Sequence, residues 1–174
     1  KISIPHEVHI GSTEFDVVYK EDKMRLFHFK PLTSKQVKTP LLIVYAIINR
    51  YHIFDIYPKK SWVKNLLEQG FDLYMIDWGT PTNMDKFLGF DDYVNDYLDN
   101  CVEHACDQSS VDKVSLQGYC TGGTLATVYS ALHPEKVKNL VATAPVIDGW
   151  QDTTVVSNIA KSFDVEKMVD AIGN

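Results

Sequence analysis

Ser115-Leu116-Gln117-Gly118-Tyr119-Cys120-Thr121-Gly122-Gly123-Thr124 joins an apolar stretch to a helical one, with a cysteine at the junction. It has the form Gly-x-nucleophile-x-Gly between a predicted strand and a predicted helix. A strand that turns at once into a helix forces its middle residue into a strained conformation, and side chains two positions away would collide. Gly118 and Gly122 remove those side chains, and Gly123 lets the helix lie close to the sheet. The turn lifts Cys120 Sγ above the strand end, where unpaired amides and the helix dipole stabilise an anion. The Thr121 amide is expected to point at the same spot and hold an oxyanion. A second amide is expected from the loop after the first parallel strand, with Ile47 as the candidate. A free cysteine is more often a small buried hydrophobe, and Gly-x-Cys-x-Gly alone is a common match. The strand-turn-helix setting decides for the nucleophile.

Working outward, Glu14 to Tyr19 and Met24 to Phe29 flank the polar turn Lys20-Glu21-Asp22-Lys23 and read as a hairpin. Leu41 to Ile47 is a continuous apolar run, as in a strand buried on both faces of a parallel sheet. Lys59 to Gln69 has helical spacing between Pro58 and Gly70. Phe71 to Ile76 is the next strand, and Asp91 to about Gln108 the longest helical pattern. Strand Val111 to Gln117, helix Gly122 to His133 and strand Val137 to Ala144 follow, with a short helix expected over Asp164 to Ile172. The order β-α-β-α-β-α-β after a hairpin defines an α/β class with a mostly parallel sheet.

Composition excludes several classes. Lys and Arg number 17 against 23 Asp and Glu, a net charge of −6, with 45% apolar residues. No run of about 18 apolar residues offers a membrane span, and no clustered basic stripe offers a nucleic-acid surface. Three cysteines without repeated spacing are not a disulfide framework and suggest no metal site. Cys101 falls on the apolar stripe of Tyr93, Val94, Tyr97, Leu98, Val102 and Ala105 and is expected in the core. Cys106 is too poorly spaced from it to bridge. The acidic run Asp91, Asp92, Asp96, Asp99 and Glu103 reads most simply as a solvated helix face.

A nucleophilic cysteine needs a histidine to take and return protons, and an acid to orient that histidine. Downstream of Cys120 stands His133 alone, about 18–20 Å away along the same helix at 1.5 Å per residue. His6, His9, His28 and His104 lie upstream and fit no strand end at the active edge, and His52 is the one upstream residue worth naming. Asp148 follows the last parallel strand and is a candidate acid, though Asp148-Gly149-Trp150 reads better as a turn. The base is therefore expected outside this sequence. With Lys1 in place of a Met or leader, both ends are expected to be cut.

With the elbow placed, the sequence resembles the catalytic subunit of a poly(3-hydroxyalkanoate) synthase of the two-subunit (class III) kind, within the α/β-hydrolase superfamily. The resemblance runs from about Val18 to Val146 through Pro40 to Ala46, Ile48-Asn49-Arg50-Tyr51, Tyr74 to Gly79 and Leu88 to Tyr93. It continues through Gly118 to Thr124 and Ala131 to Val137. The cysteine elbow alone also occurs in dienelactone-hydrolase-like proteins; its combination with Ile-Asn-Arg-Tyr and Ile-Asp-Trp-Gly is more specific.

The resemblance implies an α/β-hydrolase fold truncated before its last strands, with residues 1–149 the front of the catalytic core and 150–174 the start of a cap. It implies that Cys120 attacks a (R)-3-hydroxyacyl-coenzyme A thioester and passes the acyl group to a growing polyester chain. Acyl-coenzyme A is then a substrate, and no cofactor is implied. Exchange between thioesters is nearly isoenergetic, so a cysteine keeps the acyl group activated where a serine ester would not. The resemblance also implies a second, non-catalytic subunit, a homodimer, and a cytoplasmic location at the polymer granule surface. Two alternatives stay open: a cysteine-dependent ester or lactone hydrolase, and a non-catalytic partner-binding fragment.

Overall fold

The computed structural model describes residues 10–148, 151, 154–164, 167, 168 and 171. The hairpin strands are β1 (Phe15–Glu21) and β2 (Met24–Phe29), paired antiparallel around Asp22, whose φ of 50° closes the turn. β3 (Leu41–Val44), β4 (Leu73–Asp77), β5 (Val114–Tyr119) and β6 (Val137–Thr143) pair in parallel. The six strands form one sheet in the order β1-β2-β4-β3-β5-β6, and β2 meets β4 antiparallel. The mostly parallel α/β sheet behind an N-terminal hairpin is as expected. Leu42, Ile43, Val44, Leu73, Met75 and Ile76 are fully buried, because helices cover both faces of the central strands.

The connecting helices are α1 (Trp62–Glu68), α2 (Asp99–Ser109) and α3 (Thr121–Leu132). Helix α1 begins later than the Lys59 expected beside Pro58, because Ser61 caps it: Ser61 Oγ accepts from the Lys64 amide at 2.9 Å. The long acidic helix divides into a π-helical stretch, Asp92–Leu98, and α2. The wider turns accommodate Tyr93 and Tyr97, whose rings meet edge-on at 5.6 Å, while Tyr97 Oη donates to Asp22 at 2.8 Å. Cys101 is in the core, as expected, and the thiol of Cys106 is buried as well.

β5 runs through Gly118 and Tyr119, two residues further than the apolar pattern suggested, so Cys120 follows the strand directly. Helix α4 (Val155–Ser162) lies in a stretch whose polar sequence announced no helix. Of the helix expected over Asp164 to Ile172, Lys167, Met168 and Ala171 are described and helical; the others from 165 onward lie outside the described residues. Gly149 and Trp150, where the core was expected to give way to a cap, also lie outside them.

The acidic face is not uniformly solvated. Asp99 Oδ1 accepts from Tyr129 Oη at 2.6 Å and from Lys136 Nζ at 2.7 Å, tying α2 to α3 and to the approach to β6. Desolvation pushes the Asp99 carboxyl up, but hydrogen bonds from Lys136 and Tyr129 and the Lys136 charge outweigh it and hold it below its ordinary value. Such a group stabilises the fold at pH values above its unfolded pKa and loses that contribution as pH falls through its folded value. Asp99→Asn is expected to lower unfolding stability at pH 7 by about 1–3 kcal/mol. In urea titrations the deficit should shrink below about pH 4, where the Asp99 carboxyl of the unfolded chain begins to take up a proton.

Candidate active site

Cys120 has φ 54° and ψ −126°, a conformation that costs a non-glycine residue about 1–3 kcal/mol and persists only where surrounding structure imposes it. What imposes it is visible on both sides. The Cys120 amide donates to Thr143 O at 2.9 Å, anchoring the elbow to β6. Its carbonyl accepts from the Gly123 and Thr124 amides at 2.8 and 3.2 Å, which starts α3. Thr124 Oγ1 then donates to Val146 O at 2.7 Å, binding the first turn of α3 to the segment after β6.

The elbow glycines have separate jobs. A Cβ on Gly118 would lie 2.5 Å from Gly123 Cα, so the strand could not pass beneath the helix start. A Cβ on Gly122 would enter the Val44 carbonyl and lie 2.6 Å from Tyr45 O, so α3 sits directly on the end of β3. A Cβ on Gly123 would meet Pro145 Cβ at 3.1 Å and the Gly118 carbonyl oxygen at 3.3 Å, tight contacts but not the overlaps found at the other two glycines. Gly123 is thus the weakest of the three constraints.

The approach of Gly122 to β3 also explains why β3 stops at Val44, short of the Ile47 expected from the apolar run. Beyond Val44 the chain leaves the ladder: Tyr45 O accepts from Trp78 Nε1 at 2.8 Å, and the Asn49 amide closes a turn onto Ala46 O at 2.9 Å. Ile47 lies in that turn, at the sheet edge that carries Cys120. Among the described residues, neither the Thr121 nor the Ile47 amide donates to a backbone carbonyl outside regular ladders. Cys120 is partly exposed, and among the described residues no side chain hydrogen-bonds to its Sγ.

The sequence missed the scaffold that holds this edge. Asp77, buried at the end of β4, accepts from Arg25 Nη2 at 2.5 Å and from Tyr45 Oη at 3.0 Å. Burial, with the Asp77 carboxylate beside it, pushes the Tyr45 phenol far up and keeps it protonated as a donor. Arg50 reaches Gly79 O at 3.4 Å and Thr80 Oγ1 at 3.2 Å, linking the loops after β3 and β4. The signal was present in Ile48-Asn49-Arg50-Tyr51 and Ile76-Asp77-Trp78-Gly79, but their mutual contact was not.

The histidines are dispersed. His133 caps the far end of α3, about 18 Å from its start at 1.5 Å per residue, and packs on Tyr129 at 4.7 Å. His28 pairs with Asp72 at 2.7 Å and stacks on Tyr74, near the amino ends of the parallel strands. His104 stacks on Tyr19 at 5.2 Å, and His52 sits edge-on to Tyr51 at 5.6 Å in a 3-10 turn. His6 and His9 lie outside the described residues. Asp148 Oδ1 accepts from the Gln151 amide at 3.3 Å, in keeping with the turn reading. Among the described residues, no three His, Cys, Asp or Glu side chains gather to hold a metal, and no helix is long and apolar enough to cross a membrane.

A strained cysteine between a parallel strand and the helix it feeds, in a sheet of this order, defines a class. The chain belongs to the alpha/beta hydrolase fold family, which it matches over residues 39–171. Residues 5–66 match the N-terminus of poly-beta-hydroxybutyrate polymerase (PhaC). Its relatives include the poly(3-hydroxyalkanoate) polymerase subunit PhaC of Haloferax mediterranei, 46% identical over 97% of this chain and 35% of that protein. The subunit of the same name from Synechocystis sp. is 40% identical over 97% of this chain and 46% of that protein. The chain thus spans less than half the length of these relatives. Among solved structures, a probable hydrolytic enzyme from Pseudomonas aeruginosa PAO1 matches with a TM-score of 0.57 at 15% identity, covering 83% of this chain and 45% of that one. That likeness is one of fold.

The unequal glycine constraints have a measurable consequence. Gly122→Ala is expected to cost about 3 kcal/mol or more, since the new methyl meets backbone that cannot yield. Gly123→Ala should cost less, about 1 kcal/mol, because contacts at 3.1 and 3.3 Å call only for small shifts of Pro145 and the Gly118 carbonyl. Urea unfolding of the two variants side by side checks the order.

Proposed function

We propose that this chain carries the nucleophile of an acyltransferase that polymerises (R)-3-hydroxyacyl-coenzyme A. The observation that carries the reading is the strained elbow, which holds Cys120 at the amino end of α3. Relatives named as poly(3-hydroxyalkanoate) polymerase subunits supply the substrate class.

In this reading Cys120 Sγ attacks the thioester carbonyl carbon, and the Thr121 and Ile47 amides hold the oxyanion that forms. Collapse breaks the bond to the coenzyme A sulfur, which leaves as the thiol with the proton taken from Cys120. The hydroxyl of a second hydroxyacyl group then attacks the Cys120 thioester, forming the polyester bond and returning the thiol. A cysteine suits this sequence because its thioester stays as reactive as the one it replaced. The proton acceptor and its orienting acid are assigned to residues outside these 174, a view supported by the distance of His133 and His28 from the elbow. The growing polyester chain, a second non-catalytic subunit, a homodimer and a site at cytoplasmic granules belong to the same proposal, by analogy with the family.

The test uses the full-length protein and (R)-3-hydroxybutyryl-coenzyme A. Mass spectrometry should find the acyl group on the peptide containing Cys120, with polymer as the product. Cys120→Ala should lower turnover by about 10⁴-fold or more, as loss of a nucleophile does elsewhere. Free hydroxy acid without polymer would replace the reading with a hydrolase, and an unacylated Cys120 would overturn it.

A further inference from the structure

On the β4 side of the elbow a cleft of about 410 Å³ opens, lined by Lys20, Lys23, Arg25 and Arg50 with Asp22 and Asp77. Four cations against two carboxylates is a local reversal in a chain of net charge −6. The acids are already engaged: Asp77 by Arg25 and Tyr45, Asp22 by Tyr97 Oη at 2.8 Å. Lys23 is occupied by Asp85 at 2.8 Å. Lys20 and Arg50 have no carboxylate partner among the described residues, and both are exposed.

The register adds a second, independent feature. Lys20 stands directly opposite Arg25 across β1 and β2, and Arg25 directly opposite Asp77 across β2 and β4. Like charges facing each other across an antiparallel pair are unfavourable. Asp77 already offsets that repulsion at Arg25, and an anion between Lys20 and Arg50 gains charge-assisted hydrogen bonds from two cations that have no carboxylate partner among the described residues. The cleft lies at the carboxyl ends of the parallel strands, as Cys120 does, because Asp77 ends β4 and Arg50 follows β3. Lys20 is on β1, four strand spacings from β5 or about 19 Å at 4.8 Å per strand, and Arg50 follows β3, the neighbour of β5. An extended pantetheine arm together with its diphosphate covers a span of that order.

We propose that this cleft binds the phosphate end of the coenzyme A thioester, with Lys20 and Arg50 as its principal contacts. The inference rests on the acyl-coenzyme A reading of Cys120 and adds the residues that recognise the non-reacting end of the substrate. Arg25 and Lys23, each neutralised by its own carboxylate, border the anion without carrying its charge. Binding energy at this end then recruits substrate without touching the bond that breaks, so its loss appears in KM rather than in kcat.

The test compares two substrates in the full-length protein: hydroxybutyryl-coenzyme A and the phosphate-free N-acetylcysteamine thioester of the same acid. Lys20→Glu should raise KM for the coenzyme A thioester about 5- to 10-fold, as removal and reversal of one phosphate contact does. The value for the phosphate-free thioester should move less than about twofold, within the range of an exposed substitution. Lys20→Gln should give the same selective effect at smaller size. An unchanged KM for the coenzyme A thioester, or equal loss with both substrates, overturns the proposal while leaving the role of Cys120 intact. If the unmodified protein turns over neither thioester, the functional reading fails first, and calorimetric binding of adenosine 3′,5′-bisphosphate decides the cleft separately. Binding weakened by Lys20→Glu supports it; equal or absent binding overturns it.

Discussion

The site depends on one backbone contact, the seating of Gly122 against the carbonyls of Val44 and Tyr45. That contact sets the first turn of α3 on the end of β3 and ends β3 there. It brings the turn carrying Ile47 to the edge where Cys120 emerges. It also leaves no room for Cys120 to relax, so the residue is held at φ 54°. The strain of about 1–3 kcal/mol is offset by burial in the sheet and by three backbone hydrogen bonds at Cys120. A site built this way is rigid because its geometry rests on main chain, which has few ways to yield.

Polar groups extend that rigidity along the edge. Trp78 Nε1 fastens the end of β4 to Tyr45 O, beside the glycine contact. Asp77 gathers Tyr45 and Arg25, so the ends of β3, β4 and β2 share one buried carboxylate. Such a carboxylate is tolerable only because each donor reaches it within hydrogen-bonding distance. The arrangement pairs a fixed elbow with a charged cleft a few strands away. In the proposed chemistry the first holds the reacting thioester and the second the far end of its leaving group. At the opposite, amino-terminal edge, His28, Asp72 and Ser109 form a separate polar cluster. It braces β2, β4 and α2 away from the elbow.

Local pattern was a sound guide where one element decided its own state. The continuous run from Leu41, the hairpin turn around Asp22 and the Gly-x-Cys-x-Gly junction each carried their reading in neighbouring residues. Boundaries were less legible where another element intervened. Ser61, a cap three residues past Pro58, starts α1. Gly122, arriving from α3, stops β3. The π-helical opening of the long acidic helix left no mark on a spacing that also fits an α-helix. Asp99 reads as one more solvated acid until Tyr129 and Lys136 come to it from 30 and 37 residues away.

By itself the sequence determined the α/β class, the order of its elements, and the cysteine at the strand-to-helix junction, because each is written in residues adjacent along the chain. It also set His133 apart from Cys120, since helix rise converts the sequence separation between them into distance. Only the tertiary structure decided which backbone the elbow glycines protect, how Tyr45, Asp77, Trp78 and Arg50 join into one edge, and that Lys20 and Arg50 line the same cleft. Those relations depend on strands brought side by side in an order different from their order in the chain. Sheet pairing creates such neighbours, and no local pattern records them.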